Sequence, residues 1–234
     1  MNSDTVIEKG IVVAIDGPSG AGKSTVARLL AERLGYLYID TGAMFRTVAL
    51  AVQRARVSLE DEEALAEVCR GLEISFVRCD GAYRVLANGE DVSEAIRTPE
   101  ISLLTSRISA KKAVREVLLY EQRRMGRSGN VVLEGRDIGS VVFPDAEVKF
   151  FLSASPEERG RRRFLELKDK GERVTLEKTI EEVAARDAHD EQREHAPLRM
   201  ADDALFIDSD GISIEEVLIR MERIVRERES RCNT

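Results

Sequence analysis

The stretch Ile11-Val-Val-Ala-Ile-Asp-Gly-Pro-Ser-Gly-Ala-Gly-Lys-Ser-Thr25 decides how the rest of the chain is read. An apolar, β-rich run ends at Asp16, and Gly17, Gly22, Lys23 and Ser24 follow in the spacing GxxxxGK[ST], with Gly20 between them. A strand, a glycine-rich turn and a helix in that order form a phosphate-binding loop. Glycines let the backbone curl until successive N–H groups converge on phosphate oxygens. The helix that opens here points its positive end at the same oxygens. The expected nucleotide contacts are Gly17, Pro18, Ser19, Gly20, Ala21, Gly22, Lys23, Ser24 and Thr25. Lys23 adds a full positive charge, and the Ser24 hydroxyl is placed to ligate Mg²⁺.

Outward from the loop, short apolar runs alternate with helical patterns. Val26, Leu29, Leu30 and Leu34 line one helix face, and Gly35 stops that helix. Tyr36–Asp40, Val131–Glu134, Val148–Leu152 and Leu205–Asp208 read as further buried strands. A helix follows Thr41 to about Arg54, and Ser58 is expected to cap the next one. Residues 73–96 change period: Ile74, Phe76, Tyr83 and Val85 alternate with polar neighbours, and Asp80-Gly81 and Asn88-Gly89 are tight-turn signals. This predicts a small antiparallel meander inserted into a β/α chain. Thr98-Pro99 opens a helical stretch that breaks near Ala110 and ends near Arg127. Ser155-Pro-Glu-Glu158, Thr175 and Ser213-x-x-Glu216 start three more helices, with a turn at Asp169-Lys-Gly171. The charged tail from Arg226 to Thr234 is expected to fray. The fold class predicted is α/β, a three-layer P-loop NTPase fold with a five-stranded parallel sheet, the meander and a helical lid. A single domain spans 1–234, with core 11–72, 97–155 and 174–225, insert about 73–96 and lid about 156–173.

The formal charge of −7 argues against broad nucleic-acid binding, although arginines cluster at Glu158-Arg-Gly-Arg-Arg-Arg163. Three cysteines without metal spacing fit a reduced, cytoplasmic protein. No signal peptide and no run of membrane-spanning length is read. His189 and His195 lack a ligand set and read as surface or salt-bridging residues.

Ligands in such sheets bind beyond the carboxyl ends of the strands, which gathers Asp16, Asp40-Thr41, Glu134 to Asp137 and the loop after Leu152 around one crevice. Arg46, Arg136, Arg159 to Arg163, Arg186 and Arg193 are expected to face it. Phosphoryl transfer needs positioning and charge neutralisation, so several guanidiniums suit a small kinase that joins two anionic substrates. No Asn-Lys-x-Asp guanine-reading motif is present. Arg159 to Arg163 and Lys170-Gly171 suit a lid that closes over phosphates, and Glu134 is a candidate to hold Mg²⁺ through water. Two alternatives stay open: a kinase for another small acceptor, and a non-catalytic nucleotide switch.

The chain resembles the bacterial cytidylate kinases in IDGPSGAGKST (15–25), DTGAMFR (40–46), NGEDVSEAIRT (88–98), EGRDIGSVVFPDA (134–146) and ARDAHDEQREHAPL (185–198). The matching stretches span about residues 11 to 222. The EGRD-x-G-x-VVFP run and the inserted meander carry most of the specificity. The resemblance implies ATP-dependent phosphorylation of CMP and dCMP with Mg²⁺, in pyrimidine nucleotide metabolism, by a monomer in the cytoplasm. It implies a CMP site of Thr41, Arg46, Ser106, Arg115, Arg136, Asp137, Arg186, Asp190 and Arg193, covered by the meander. It implies a reacting centre of Lys23, Arg136, Arg159 and Arg162. Asp137, Arg115 and Ser106 complement the amino group and acceptor atoms of cytosine. The family often has Ser where Thr41 stands, and some members replace Ser24 by Gly. No general base is needed, because the acceptor phosphate is already an anionic nucleophile.

Overall fold

A computed structural model describes residues 10–79, 82–169, 171–193 and 195–232. The elements run β1 (Val12–Asp16), α1 (Lys23–Leu34), β2 (Leu37–Asp40), α2 (Thr41–Ala55), α3 (Glu62–Arg70), β3 (Ile74–Cys79), β4 (Ala82–Ala87) and β5 (Glu90–Asp91). After a short 3₁₀ turn come α4 (Pro99–Ile108), α5 (Lys112–Gly126), β6 (Val131–Gly135), a π-helical turn at Ile138–Val142, β7 (Val148–Ser153), α6 (Pro156–Asp169), α7 (Leu176–Glu191), β8 (Leu205–Asp208) and α8 (Ile214–Cys232).

Five parallel strands lie in the order β2-β6-β1-β7-β8, and β3-β4-β5 form a separate antiparallel sheet. Every residue of β1 is buried, and the period of two divides its side chains between two cores. Val12 and Ala14 join Leu133 under α2, α4 and α5, packed by Met44, Val48, Ile101 and Leu118. Val13 and Ile15 join Val132 and Phe150 under α1 and α8, packed by Leu30, Leu218 and Met221. Truncating a filler such as Leu30 to Ala would cost about 2–5 kcal/mol through lost burial and a residual cavity.

Chain reversals at the carboxyl ends of β1, β6 and β7 create the crevice. At Gly17 (φ +147°) a Cβ would sit 1.9 Å from the Leu152 carbonyl oxygen, so only glycine lets the loop leave β1 so close to β7. The Asp16 carboxylate accepts the Ile138 and Gly139 N–H groups at 2.8 and 2.7 Å, tying the start of the loop to the turn after β6.

Several local expectations change. Ser58 does not cap α3: Asp61 does, accepting the Ala64 N–H at 2.9 Å, while Ser58 heads the preceding turn. Ser155 accepts the Glu158 N–H at 3.3 Å, but Glu158 does not return to the Ser155 N–H, which donates to Asp210. Glu158 instead holds Arg161 and Arg162, so the reciprocal half of that box is lost to charge pairing. Ser213 and Glu216 do form the reciprocal pair. The tail from Arg226 stays helical through Cys232. Tyr36 donates to Glu229, and Arg226 donates to the Arg33 carbonyl at 3.3 Å, so long-range ties offset the charge of that last stretch. The Asn88-Gly89 turn has both residues at positive φ. The Asp80-Gly81 turn and Lys170 lie outside the described residues.

Candidate active site

A crevice of about 730 Å³ runs from the loop at Ser19–Val26 to Ser106 and Arg115. On one side lie Lys23, Ser24 and Thr25. Lys23 is buried, and its ammonium donates to the Pro18 carbonyl at 2.7 Å. Burial, reinforced by the positive charge of Arg136, pushes its pKa down to about 7, with Glu134 and Asp16 opposing. Glu134, buried at the end of β6, accepts the Tyr38 hydroxyl at 2.7 Å and interacts with the Ser24 hydroxyl. Burial and the neighbouring Asp40 raise its pKa, and Lys23 opposes them. A carboxylate and a hydroxyl side by side at the loop, both hard oxygen donors, fit Mg²⁺. Among the described residues no group of three His, Cys, Asp or Glu side chains could hold a metal alone. Waters and nucleotide phosphates would complete the shell.

The opposite wall consists of side chains from α2, α4, α5, the turn after β6 and α7. Asp40 caps α2 through the Ala43 N–H at 2.7 Å and receives Arg46 at 2.9 Å. Thr41 donates to the Glu134 carbonyl at 2.6 Å, joining α2 to β6. Arg115 pairs with Asp137, donates to the Ser109 carbonyl at 3.1 Å and lies 5.6 Å over the Phe45 ring. Burial raises the Asp137 pKa, while Arg115, Arg193 and Arg136 pull it back. Asp190 accepts Arg136 Nε at 2.9 Å and also pairs with Arg193. Burial would raise the Asp190 pKa, but Arg136, Arg193 and Arg186 together hold it below its ordinary value. Desolvation and the adjacent Arg136 push Arg186 down to about 10. Nε of Arg46 and Nε of Arg193 are buried without a hydrogen-bond partner, and both residues line the crevice. The guanidinium side chains of Arg46, Arg115, Arg136, Arg162, Arg186 and Arg193 crowd one cavity, a setting that favours anions.

The structure thus gathers Ser19 to Thr25, Thr41, Arg46, Ser106, Arg115, Glu134, Arg136, Asp137, Arg162, Arg186 and Arg193 around one cavity. Asp190 stands behind Arg136 and Arg193 and holds both. Gly17 and Pro18 shape the loop from outside the cavity wall. Arg159 does not line the cavity: it is buried in a pair with Asp187. Arg162 does face it, held by the Ser209 hydroxyl at 3.0 Å, the Ser209 carbonyl at 2.8 Å and Glu158 at 2.9 Å. None of the described residues of the meander lines the crevice. The meander docks behind it, through Arg78 on Glu32, Arg54 on Glu90 and the edge-to-face contact of Tyr83 with Tyr38 at 5.3 Å.

Sequence reasoning passed over Phe45, Tyr38, Ser209 and Asp187. Ser209 directly follows β8, so the strand-end rule could have found it. Tyr38 and Phe45 read as core because their patterning is apolar. His189, read as a surface residue, places Nδ1 3.5 Å from the Ser106 hydroxyl.

The profile of one protein family, described as cytidylate kinase, matches residues 13–227. A cytidylate kinase of Geobacter sulfurreducens is 69% identical over 221 residues, 94% of this chain and 95% of that protein. One from Syntrophotalea carbinolica is 59% identical over 227 residues, 97% of each chain. One from Bacillus cereus is 48% identical over 219 residues, 94% of this chain and 97% of the relative.

Proposed function

The chain belongs to the cytidylate kinase family and transfers a phosphoryl group to CMP; from that premise we propose how its residues divide the work. ATP is the donor, with its phosphates on the backbone amides of residues 19–25 and on Lys23. Ser24 and Glu134 would hold Mg²⁺, which when bound supplies charge neutralisation at the donor phosphates. Arg46, Arg136 and Arg193 take the acceptor phosphate, and the convergence of these three guanidinium side chains on one crevice is the observation that carries this assignment. Arg186 reaches the ribose side, while Asp190, expected there too, holds Arg136 and Arg193 from behind the crevice wall. Asp137 accepts the cytosine amino group, while Arg115 and Ser106 donate to its acceptor atoms.

An anionic oxygen of the acceptor phosphate attacks the γ-phosphorus of ATP in line while the bond to the β,γ-bridging oxygen breaks and ADP leaves, so no side chain has to remove a proton. Arg136 and Arg162 stabilise charge on the transferring group, from opposite walls. Arg159, assigned to the reacting centre on resemblance, is turned away from the crevice, so its part is to hold α6 against the loop. Residues 156–173 close over the phosphates as a lid and exclude water. dCMP is a second acceptor on this reading. We read the protein as a cytoplasmic monomer with no nucleic-acid partner; no helix of the described residues is long and apolar enough to cross a membrane.

A coupled assay of ADP formation with a panel of nucleoside monophosphates tests the proposal. ADP is expected with CMP and dCMP, far less with UMP, and negligible without acceptor. Equal rates across the panel would refute the base assignment.

A further inference from the structure

Asp187 belongs to neither wall of the crevice. It is 7% exposed and follows Arg186 on α7. Its carboxylate accepts the Ser19 backbone N–H at 3.1 Å and pairs with Arg159. Arg159, 5% exposed, donates Nε to the Ala154 carbonyl at 2.8 Å and Nη1 to the Ser19 carbonyl at 3.1 Å. Both backbone polar groups of Ser19 are therefore gripped from outside the loop. The approach is tight: a Cβ on Gly20 would lie 3.1 Å from both the Cβ and the carbonyl oxygen of Arg159.

Helical spacing places Arg186, Asp190 and Arg193 at i, i+4 and i+7, on or just beyond one face of α7. Asp187 lies about 100° round the helix from Arg186, on the flank towards the loop. Because α7 is rigid, a shift of the acceptor-facing residues carries the Asp187 carboxylate with it and changes its hold on Ser19. Arg159 carries the same shift into α6, whose next turn bears Arg162 at the crevice.

We propose that Asp187, acting through Ser19 and Arg159, is a positioning residue that couples acceptor binding on α7 to the shape of the donor phosphate loop. The inference rests on the reading of Arg186 and Arg193 as acceptor ligands, with Asp190 holding Arg193 in place. It gives the enzyme a way to organise the donor loop only when CMP is present, which limits wasteful hydrolysis of ATP.

The test is calorimetric titration of a non-hydrolysable ATP analogue with Mg²⁺, with and without saturating CMP, on the full chain and two variants. In the parent, CMP is expected to tighten analogue binding by about tenfold, a typical coupling between sites. Asp187→Asn should reduce that factor to less than about twofold while CMP affinity in the absence of nucleotide stays within about twofold of the parent. Steady-state kinetics should show the same split, with KM for ATP raised and kcat lowered. Arg159→Lys, which keeps the charge but cannot bridge Ser19 and Asp187 together, should give a smaller loss of coupling and decides the matter if Asp187→Asn does not fold. Full coupling in a folded variant, or none in the parent, overturns the inference. An Arg193→Ala variant separates the two readings. If it binds CMP as the parent does, the acceptor assignment fails and takes this inference with it. If it loses CMP while Asp187→Asn keeps full coupling, only the inference fails.

Discussion

Around residues 19–25 the wall of the crevice is mainly backbone, whereas across from it, from Arg46 to Arg193, the wall is side chain. The loop owes its shape to the fully buried β1, to the glycine that lets it pass Leu152, and to Asp16 beneath it. Its polar groups are held by the protein's own contacts, from Asp16 beneath and from Asp187 and Arg159 at Ser19. The opposite wall is a set of ion pairs: Arg46 with Asp40, Arg115 with Asp137, and Arg136 and Arg193 with Asp190. These carboxylates offset the cations and fix their geometry. The contrast assigns the donor phosphates to the backbone wall and substrate choice to the side-chain wall, from which Arg136 also reaches the transferring group.

Substitutions on each side can break that division. The largest effect is expected for Lys23→Ala, which removes the one ammonium group of residues 19–25. Turnover should fall by about 10²–10³-fold, read from the coupled assay at saturating CMP, with little change in CMP affinity. Asp190→Asn comes next, because it leaves Arg136 and Arg193 without their shared partner in a buried setting. KM for CMP should rise about tenfold or more, and thermal unfolding should show a loss of about 3 kcal/mol. A turnover defect without a change in KM for CMP would argue against the division.

The smallest effect concerns Asp16, which joins the two walls. Burial pushes its pKa from 3.8 up to about 7, against the amides of Ile138 and Gly139 that favour the charged form. A folded-state pKa raised in this way gives stability that is full below the unfolded value near 4 and is lost as pH rises through about 7. Melting temperatures of the ligand-free parent should therefore decline between pH 4 and pH 7 relative to Asp16→Asn. The slopes are compared, since the variant also loses a hydrogen bond at every pH. Parallel slopes would mean that Asp16 titrates normally and that the two amides outweigh its burial.

The same contrast explains what could be read from sequence. The loop at 17–25 is written contiguously, because a backbone nest needs glycines at fixed spacing, and the five strands follow from short apolar runs. The acceptor wall draws on residues from 40 to 193, and no local spacing links Arg136 to Asp190 or Arg115 to Asp137. Arg136 and Asp137 were reached from their place after a strand and Arg115 and Asp190 through family resemblance, and the structure pairs them. Arg159 and Arg162 lie three residues apart in one arginine cluster, and composition could not show that one is buried against Asp187 while the other faces the cavity. Nor could alternation within residues 73–96 tell that the meander docks behind the crevice through Tyr83 and Arg78. Ser58 and the tail misled for a shared reason: local propensity was outvoted by Asp61 in one case and by the tie from Tyr36 to Glu229 in the other.

The claim that the side-chain wall chooses the substrate is tested most directly at Asp137. The measurement is kcat/KM for CMP and for UMP, in the parent and in Asp137→Asn. Uracil offers O4 and N3–H where cytosine offers an amino group and N3, so the carboxylate faces an acceptor in place of a donor. The account predicts a strong preference for CMP in the parent that shrinks by about tenfold or more in the variant, because a mismatched buried polar group discriminates strongly. An unchanged CMP-to-UMP ratio in a folded, active Asp137→Asn enzyme would contradict it.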